Sequence, residues 1–127
     1  MHAPAEHMKR VARLPPGRRG TAAMDDAVGE ILAALDEAGA REDTIVLFSS
    51  DNGPSRESRN WLGGEEISYA GGLSGGLRGA KGSVLEGGTR VPGIISWPAQ
   101  LPAGAESEQV GLMMDLLPTL LHAADGV

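Results

Sequence analysis

Thr44-Ile45-Val46-Leu47-Phe48-Ser49-Ser50-Asp51-Asn52-Gly53-Pro54 is the stretch on which the reading of this chain turns. Its first five residues are a continuous apolar run, β-branched at Thr44, Ile45 and Val46, with no polar alternation. Such a run reads as a strand covered on both faces, the usual situation in a parallel α/β sheet. The run then breaks into a polar turn at the strand's carboxyl end, the edge where open α/β sheets bind ligands.

Upstream, Met24, Val28, Ile31, Leu35 and Ala38 recur at steps of four and three, which predicts a helix over 21–38 with one apolar stripe. Thr21 or a neighbour is placed to cap it, and Gly39 sits where a C-cap glycine belongs. Residues 1–20, with Pro4, Pro15, Pro16 and Gly17, read as an irregular lead-in holding one short helical turn near 6–11. Downstream, the glycine-rich stretch 53–88 is too long for an ordinary connection, and long loops of that kind are functional or disordered. A second strand is read within 91–97, with Pro92 at its start and Pro98 ending it. A short strand at 109–113 then leads into a closing helix over 115–124, with Asp115 as N-cap and Pro118 tolerated in the first turn.

Helix, strand, loop, strand and helix spell α/β, in 127 residues that suit one domain. Yet a buried strand needs neighbours on both edges, and few are supplied. The expectation is therefore an incomplete domain, whose unpaired strand edges make the isolated chain marginal or aggregation-prone. Aromatics at 3% point the same way, because large core anchors are scarce. Of the 19 glycines, 12 lie between Gly53 and Gly93, concentrating close-approach backbone in one segment. A net charge of −6 argues against a nucleic-acid binder or a polybasic membrane ligand. No apolar run approaches the roughly 18 residues of a membrane span, and no signal-peptide h-region opens the chain. With no cysteine there are no disulfides, thiolate metal sites or cysteine nucleophiles.

Two groups of residues carry chemistry. Asp51-Asn52 offers a carboxylate and an amide oxygen of the kind hard cations bind, half of a Ca²⁺ or Mg²⁺ site; alternatively Asn52-Gly53 marks a hairpin or turn. Lys81 in Leu77-Arg78-Gly79-Ala80-Lys81-Gly82 lies between glycines whose amides can face an anion; alternatively this is a solvated basic loop. It is not a P-loop, since Gly82 follows the lysine instead of Ser or Thr. His7 and His122 read as surface or helix residues, Asp25-Asp26 as a solvated helical face, and Met113-Met114 as packing material.

Taken in order, Asp25-Asp26-Ala27-Val28-Gly29, the 44–54 stretch, Leu77 through Pro92 with its Glu86-Gly87-Gly88-Thr89-Arg90, and Asp115-Leu116-Leu117-Pro118-Thr119 resemble the sulfatases, of the arylsulfatase type, from about residue 18 onward. The resemblance implies a partial alkaline-phosphatase-like sandwich, a mixed sheet with flanking helices, in which residues 1–127 are a C-terminal portion of the catalytic domain and 53–90 its active-site loop. It implies hydrolysis of sulfate esters, on a small molecule or a sulfated glycan. Asp51 and Asn52 match the family's second pair of metal ligands, for Ca²⁺ ahead of Mg²⁺, and Lys81 matches the lysine that contacts the substrate sulfate. Glu86 and Arg90 support the assignment of the loop. Family members are often periplasmic, secreted or lysosomal.

The departures are as informative. The family's formylglycine, made from Cys or Ser in Cys/Ser-x-Pro-x-Arg, and its first pair of aspartate ligands lie upstream in the family and have no counterpart in this chain. Asn52-Gly53-Pro54-Ser55-Arg56 mimics only the end of that motif. His2-Ala3-Pro4 matches either the family's His-x-Pro histidine or the segment just after it. The chain is thus expected to be a truncated product, or one begun at an internal Met, that is inactive in isolation. Alternatives are a non-catalytic pseudoenzyme remnant, or a related phosphatase, phosphonate-ester hydrolase or phosphoethanolamine transferase.

Overall fold

The computed structural model describes residues 16–56, 58–59, 67–68 and 72–124. Along them run α1 (Pro16–Glu37), β1 (Val46–Ser49), β2 (Ser58–Arg59), β3 (Ile67–Ser68), a single turn α2 (Glu86–Thr89), β4 (Gly93–Ser96), a 3-10 turn (Met113–Asp115) and α3 (Leu116–Ala123). The helical turn expected near 6–11, and both His2 and His7, lie outside the described residues.

Helix α1 starts at Pro16, earlier than the expected residue 21, so the end of the presumed lead-in is helical. Proline suits the first helical position, where its missing N–H would have no partner, whereas Gly17 and Gly20 disguise the start because each costs about 1 kcal/mol against alanine. The other end is as expected. Gly39 has φ +65°, its N–H donates to the Asp36 carbonyl and the Ala40 N–H reaches back to Leu35, both at 3.0 Å. That pair of bonds is a Schellman stop, and it needs the left-handed backbone that glycine adopts most easily. The Thr44 hydroxyl then donates to the Ala40 carbonyl at 2.7 Å, turning the chain toward β1.

Strand β1 is realised at the end of the apolar run, but its partner is antiparallel: Val46 faces Ser96, and Ser49 faces Gly93. The second short pair, β2 with β3, is also antiparallel. Below the β1–β4 ladder the Arg41 guanidinium donates to the Ser96 hydroxyl, and the Ala99 N–H to the Glu42 carbonyl at 3.4 Å. The result is a mixed α/β chain with a two-stranded sheet, not a strand enclosed on both faces. Among the described residues no hydrophobic side chain is buried; Ile31 is 57% exposed and Ile94 62%.

The C-terminal third corrects two expectations and refines a third. Residues 109–113 form no strand; 107–112 are irregular, because a strand exists only against a partner edge and the described residues offer none there. Asp115 stands at the N-cap position of α3 as expected, but its carboxylate makes no cap bond to that helix: it accepts the Leu112 N–H at 2.8 Å and closes the preceding 3-10 turn. Met113 and Met114 are exposed and pack no core. Pro118 does fall in the first turn of α3, as expected.

Candidate functional site

The turn after β1 is not a hairpin. Instead of doubling back on β1, residues 51–53 bend into a junction of three backbone segments. The Gly53 N–H donates to the Gly88 carbonyl at 2.9 Å, the Gly87 N–H to Arg78 at 2.8 Å and the Lys81 N–H to Pro54 at 3.0 Å. Segments 53–54, 78–81 and 87–88 are thereby laced together without side chains. Gly53, Gly87 and Gly88 are buried, where few of the described residues are. A Cβ added at Gly53 would collide with the Gly87 carbonyl oxygen, and one at Gly88 with that of Ser83. One at Gly87 would stand 2.5 Å from the Gly79 oxygen. The Gly87-Gly88 pair is therefore a steric requirement of the crossing, since only hydrogen fits between backbones this close.

The junction carries the predicted residues into one cleft of about 830 Å³. Asp51 and Asn52 reach it from the end of β1, and Lys81 from the 78–82 loop. The Lys81 side chain and the Asp51 carboxylate are exposed. Asn52 is half-buried; its amide nitrogen donates to the Gly53 carbonyl at 2.9 Å, which leaves the amide oxygen as the end able to accept or ligate. The Ser50 hydroxyl braces the same turn, donating to the Asn52 carbonyl at 2.8 Å.

Chemically, the cleft offers two oxygen donors and an ammonium. Carboxylate and amide oxygens suit a hard cation such as Ca²⁺, but such an ion takes six to eight oxygens. Among the described residues no group of three or more His, Cys, Asp or Glu could hold a metal. Asp51 and Asn52 thus fit one side of a hard-cation site and do not complete it. Arg90 lines the cleft as well. Sequence reasoning used it only as support for the loop, and the missing signal was the antiparallel register, which sets the entry to β4 beside the exit from β1. Glu86, one helical turn back, pairs with Arg90 at 3.4 Å.

Comparison with known proteins places the chain in a family. The family model described as Sulfatase matches residues 19–127, a span that includes every segment of the junction. Mouse steryl-sulfatase is 43% identical over 103 residues, covering 80% of this chain and 16% of the relative. Human arylsulfatase A is 40% identical over 103 residues, 80% of this chain and 18% of the relative. Human arylsulfatase H is 39% identical over 131 residues, 100% of this chain and 22% of the relative. The crystal structure of Ps i-CgsB in complex with k-i-k-neocarrahexaose superimposes with a TM-score of 0.73 at 30% identity, over 99% of this chain and 26% of that one. The chain therefore spans about a fifth of the length of these relatives, and over that span, by sequence and by backbone, it belongs to the sulfatase family.

Proposed function

We propose that these residues serve the hydrolysis of a sulfate ester within a full-length sulfatase catalytic domain, of which residues 1–127 are a later portion. In that domain the β1–β4 pair joins a mixed sheet of the alkaline-phosphatase-like sandwich, and 53–90 is the active-site loop. The observation that carries the reading is the single cleft that gathers Asp51, Asn52 and Lys81 around the glycine junction.

In the net reaction the S–O bond to the alcohol breaks, water supplies the replacing oxygen, and alcohol and hydrogen sulfate leave. Lys81 holds a sulfate oxygen and neutralises charge on the transferring group, a task that pre-positioned cations perform well in a water-poor site. Its place is set by its own N–H on the Pro54 carbonyl, so the ammonium is carried on a fixed backbone. The Asp51 carboxylate and Asn52 amide oxygen would hold Ca²⁺, which when bound supplies Lewis-acid polarisation of the sulfate. The substrate class is a sulfate-ester small molecule or a sulfated glycan. The names of the steryl- and arylsulfatase relatives support the ester, and the oligosaccharide in the Ps i-CgsB complex supports the glycan.

This chain's own residues do not furnish the nucleophile. It has no cysteine, and no Ser-x-Pro-x-Arg occurs in its sequence. The 127-residue chain assayed alone with an aryl sulfate and Ca²⁺ is therefore expected to show no turnover above its Lys81→Ala control. In the full-length gene product, Lys81→Ala should lower kcat by about 10²–10³, the loss typical of removing a charge-stabilising donor. A near-normal rate in that variant overturns the role of Lys81. Chelation of Ca²⁺ should abolish activity and Asp51→Ala should weaken Ca²⁺ binding, read by calorimetric titration; unchanged affinity removes Asp51 from the site.

A further inference from the structure

Asn52 and Gly53 carry a reactivity that the sulfate-ester reading does not use. An asparagine loses its side-chain amide most readily before glycine, because no Cβ shields the following backbone nitrogen. The Gly53 nitrogen attacks Cγ of Asn52, the bond from Cγ to Nδ2 breaks, and ammonia leaves with the proton that Gly53 gave up. Water then opens the cyclic imide at either of its carbonyls and leaves aspartate or isoaspartate at position 52. In sum an amide and water become an acid and ammonia, and nothing is oxidised or reduced.

The residue that creates this reactivity cannot be exchanged. Gly53 is buried, and a Cβ there would collide with the Gly87 carbonyl oxygen. The crossing of 53–54 with 87–88 thus demands the one residue that leaves Asn52 open to attack. The same turn also ties down every group the reaction has to move. The attacking nitrogen donates its hydrogen to the Gly88 carbonyl at 2.9 Å. The leaving nitrogen, Nδ2 of Asn52, donates to the Gly53 carbonyl at 2.9 Å. The Asn52 carbonyl, which must turn with the Gly53 nitrogen, accepts the Ser50 hydroxyl at 2.8 Å. Ring closure needs loss of the Gly53 proton and rotation about the Cα–Cβ and Cα–C bonds of Asn52, so these three hydrogen bonds have to break first. All three partners belong to this chain, and the nitrogen that must attack is buried within it.

We propose that Asn52 is a latent deamidation site, kept closed by the glycine junction and released when the junction opens locally. Openings of that kind occur without global unfolding. The product puts a second carboxylate beside Asp51 in place of the amide oxygen. Its isoaspartate form also adds a methylene to the main chain, where the crossing with Gly87-Gly88 has no room for one. The chemistry lies wholly in this chain's residues and holds whether or not a sulfate ester is the substrate.

The test follows deamidation by peptide mass spectrometry in the full-length gene product, with a chelator present so that no bound cation shields the amide. Asn60, followed by the bulky Trp61, is the internal control. In urea Asn52 should deamidate much faster than Asn60. In the native protein Asn52 should react about a hundredfold more slowly than in urea, as the breaking of three ordinary hydrogen bonds implies. Ser50→Ala removes one of the three and should speed the native rate about fivefold. Ile31→Lys weakens the scaffold away from the junction and should leave that rate unchanged. A native rate equal to the rate in urea overturns the proposal, because nothing is then shielded. A native rate that rises with Ile31→Lys and ignores Ser50→Ala overturns it too, since release would then need global unfolding. So does an Asn52 that reacts no faster than Asn60 in urea. The readout is a mass change and needs no turnover, so it stands apart from any failure of the hydrolase reading.

Discussion

The glycine junction and the apolar faces of α1 and the sheet are built on opposite terms. At the junction, Gly53, Gly87 and Gly88 are buried and every link is a backbone hydrogen bond, so the cleft is held by residues of this chain alone. On α1 and β4, Met24, Ile31, Ile94 and Ile95 are all exposed. The local shape of the cleft is thus settled within this stretch, while the hydrophobic effect that should stabilise its scaffold has little to act on here. The chain spans 16% to 22% of the length of its sulfatase relatives, and under the proposed function the rest of the catalytic domain covers these faces.

That contrast breaks most sharply at Gly88. Replacing it with alanine drives a methyl into the Ser83 carbonyl, and no flexible side chain is there to yield. In the full-length gene product Gly88→Ala should destabilise by about 4 kcal/mol or more, placing it among the rare severe substitutions. Thermal unfolding checks this, and a midpoint within a degree or two of wild type would mean the junction is looser than described. A smaller effect tests the other region. Ile31→Lys and Ile94→Lys should make the 127-residue chain more monodisperse in light scattering, because they break exposed apolar surface. In the full-length product the same changes should cost about 1.5–3 kcal/mol each, the worth of a buried isoleucine side chain. Equal, negligible effects in both settings would show that these faces stay exposed.

The sequence made the local features legible and left the pairings obscure. Gly39 could be read as a helix stop because a Schellman turn is encoded within a few residues. Asp51, Asn52 and Lys81 could be named because their neighbours are distinctive, and the cleft does bring them together. The partner of β1 was not legible: an apolar run states that a strand is buried, never which edge finds it or in which direction. The expected strand at 109–113 failed for the same reason, its partner lacking among the described residues. Arg90 was overlooked as a cleft residue because its nearness to Asp51 follows only from the Ser49–Gly93 register. The glycine-rich segment reads as close-approach backbone in the sequence, and only the crossing with Gly53 shows that Gly87-Gly88 is where, among the described glycines, that approach is tightest.

Two glycines, one inside α1 and one just past its end, sharpen the comparison at its small end. Gly39 has φ +65°, so Gly39→Ala is strained although nothing stands within 4 Å of its Cβ. A left-handed alanine costs about 1–2 kcal/mol, and the substitution should destabilise by that amount. Gly29, mid-helix, also has open space around a built Cβ, but its backbone is ordinary helix. There the methyl costs nothing in the folded chain and removes conformational freedom from the unfolded one, so Gly29→Ala should stabilise by about 0.4–1 kcal/mol. Helicity and thermal midpoint, measured on both variants, should move in opposite directions. If both substitutions destabilised, a surface outside this chain would have to come within a methyl's breadth of Gly29, and the exposed side of α1 would be located as a close packing interface of the full-length domain.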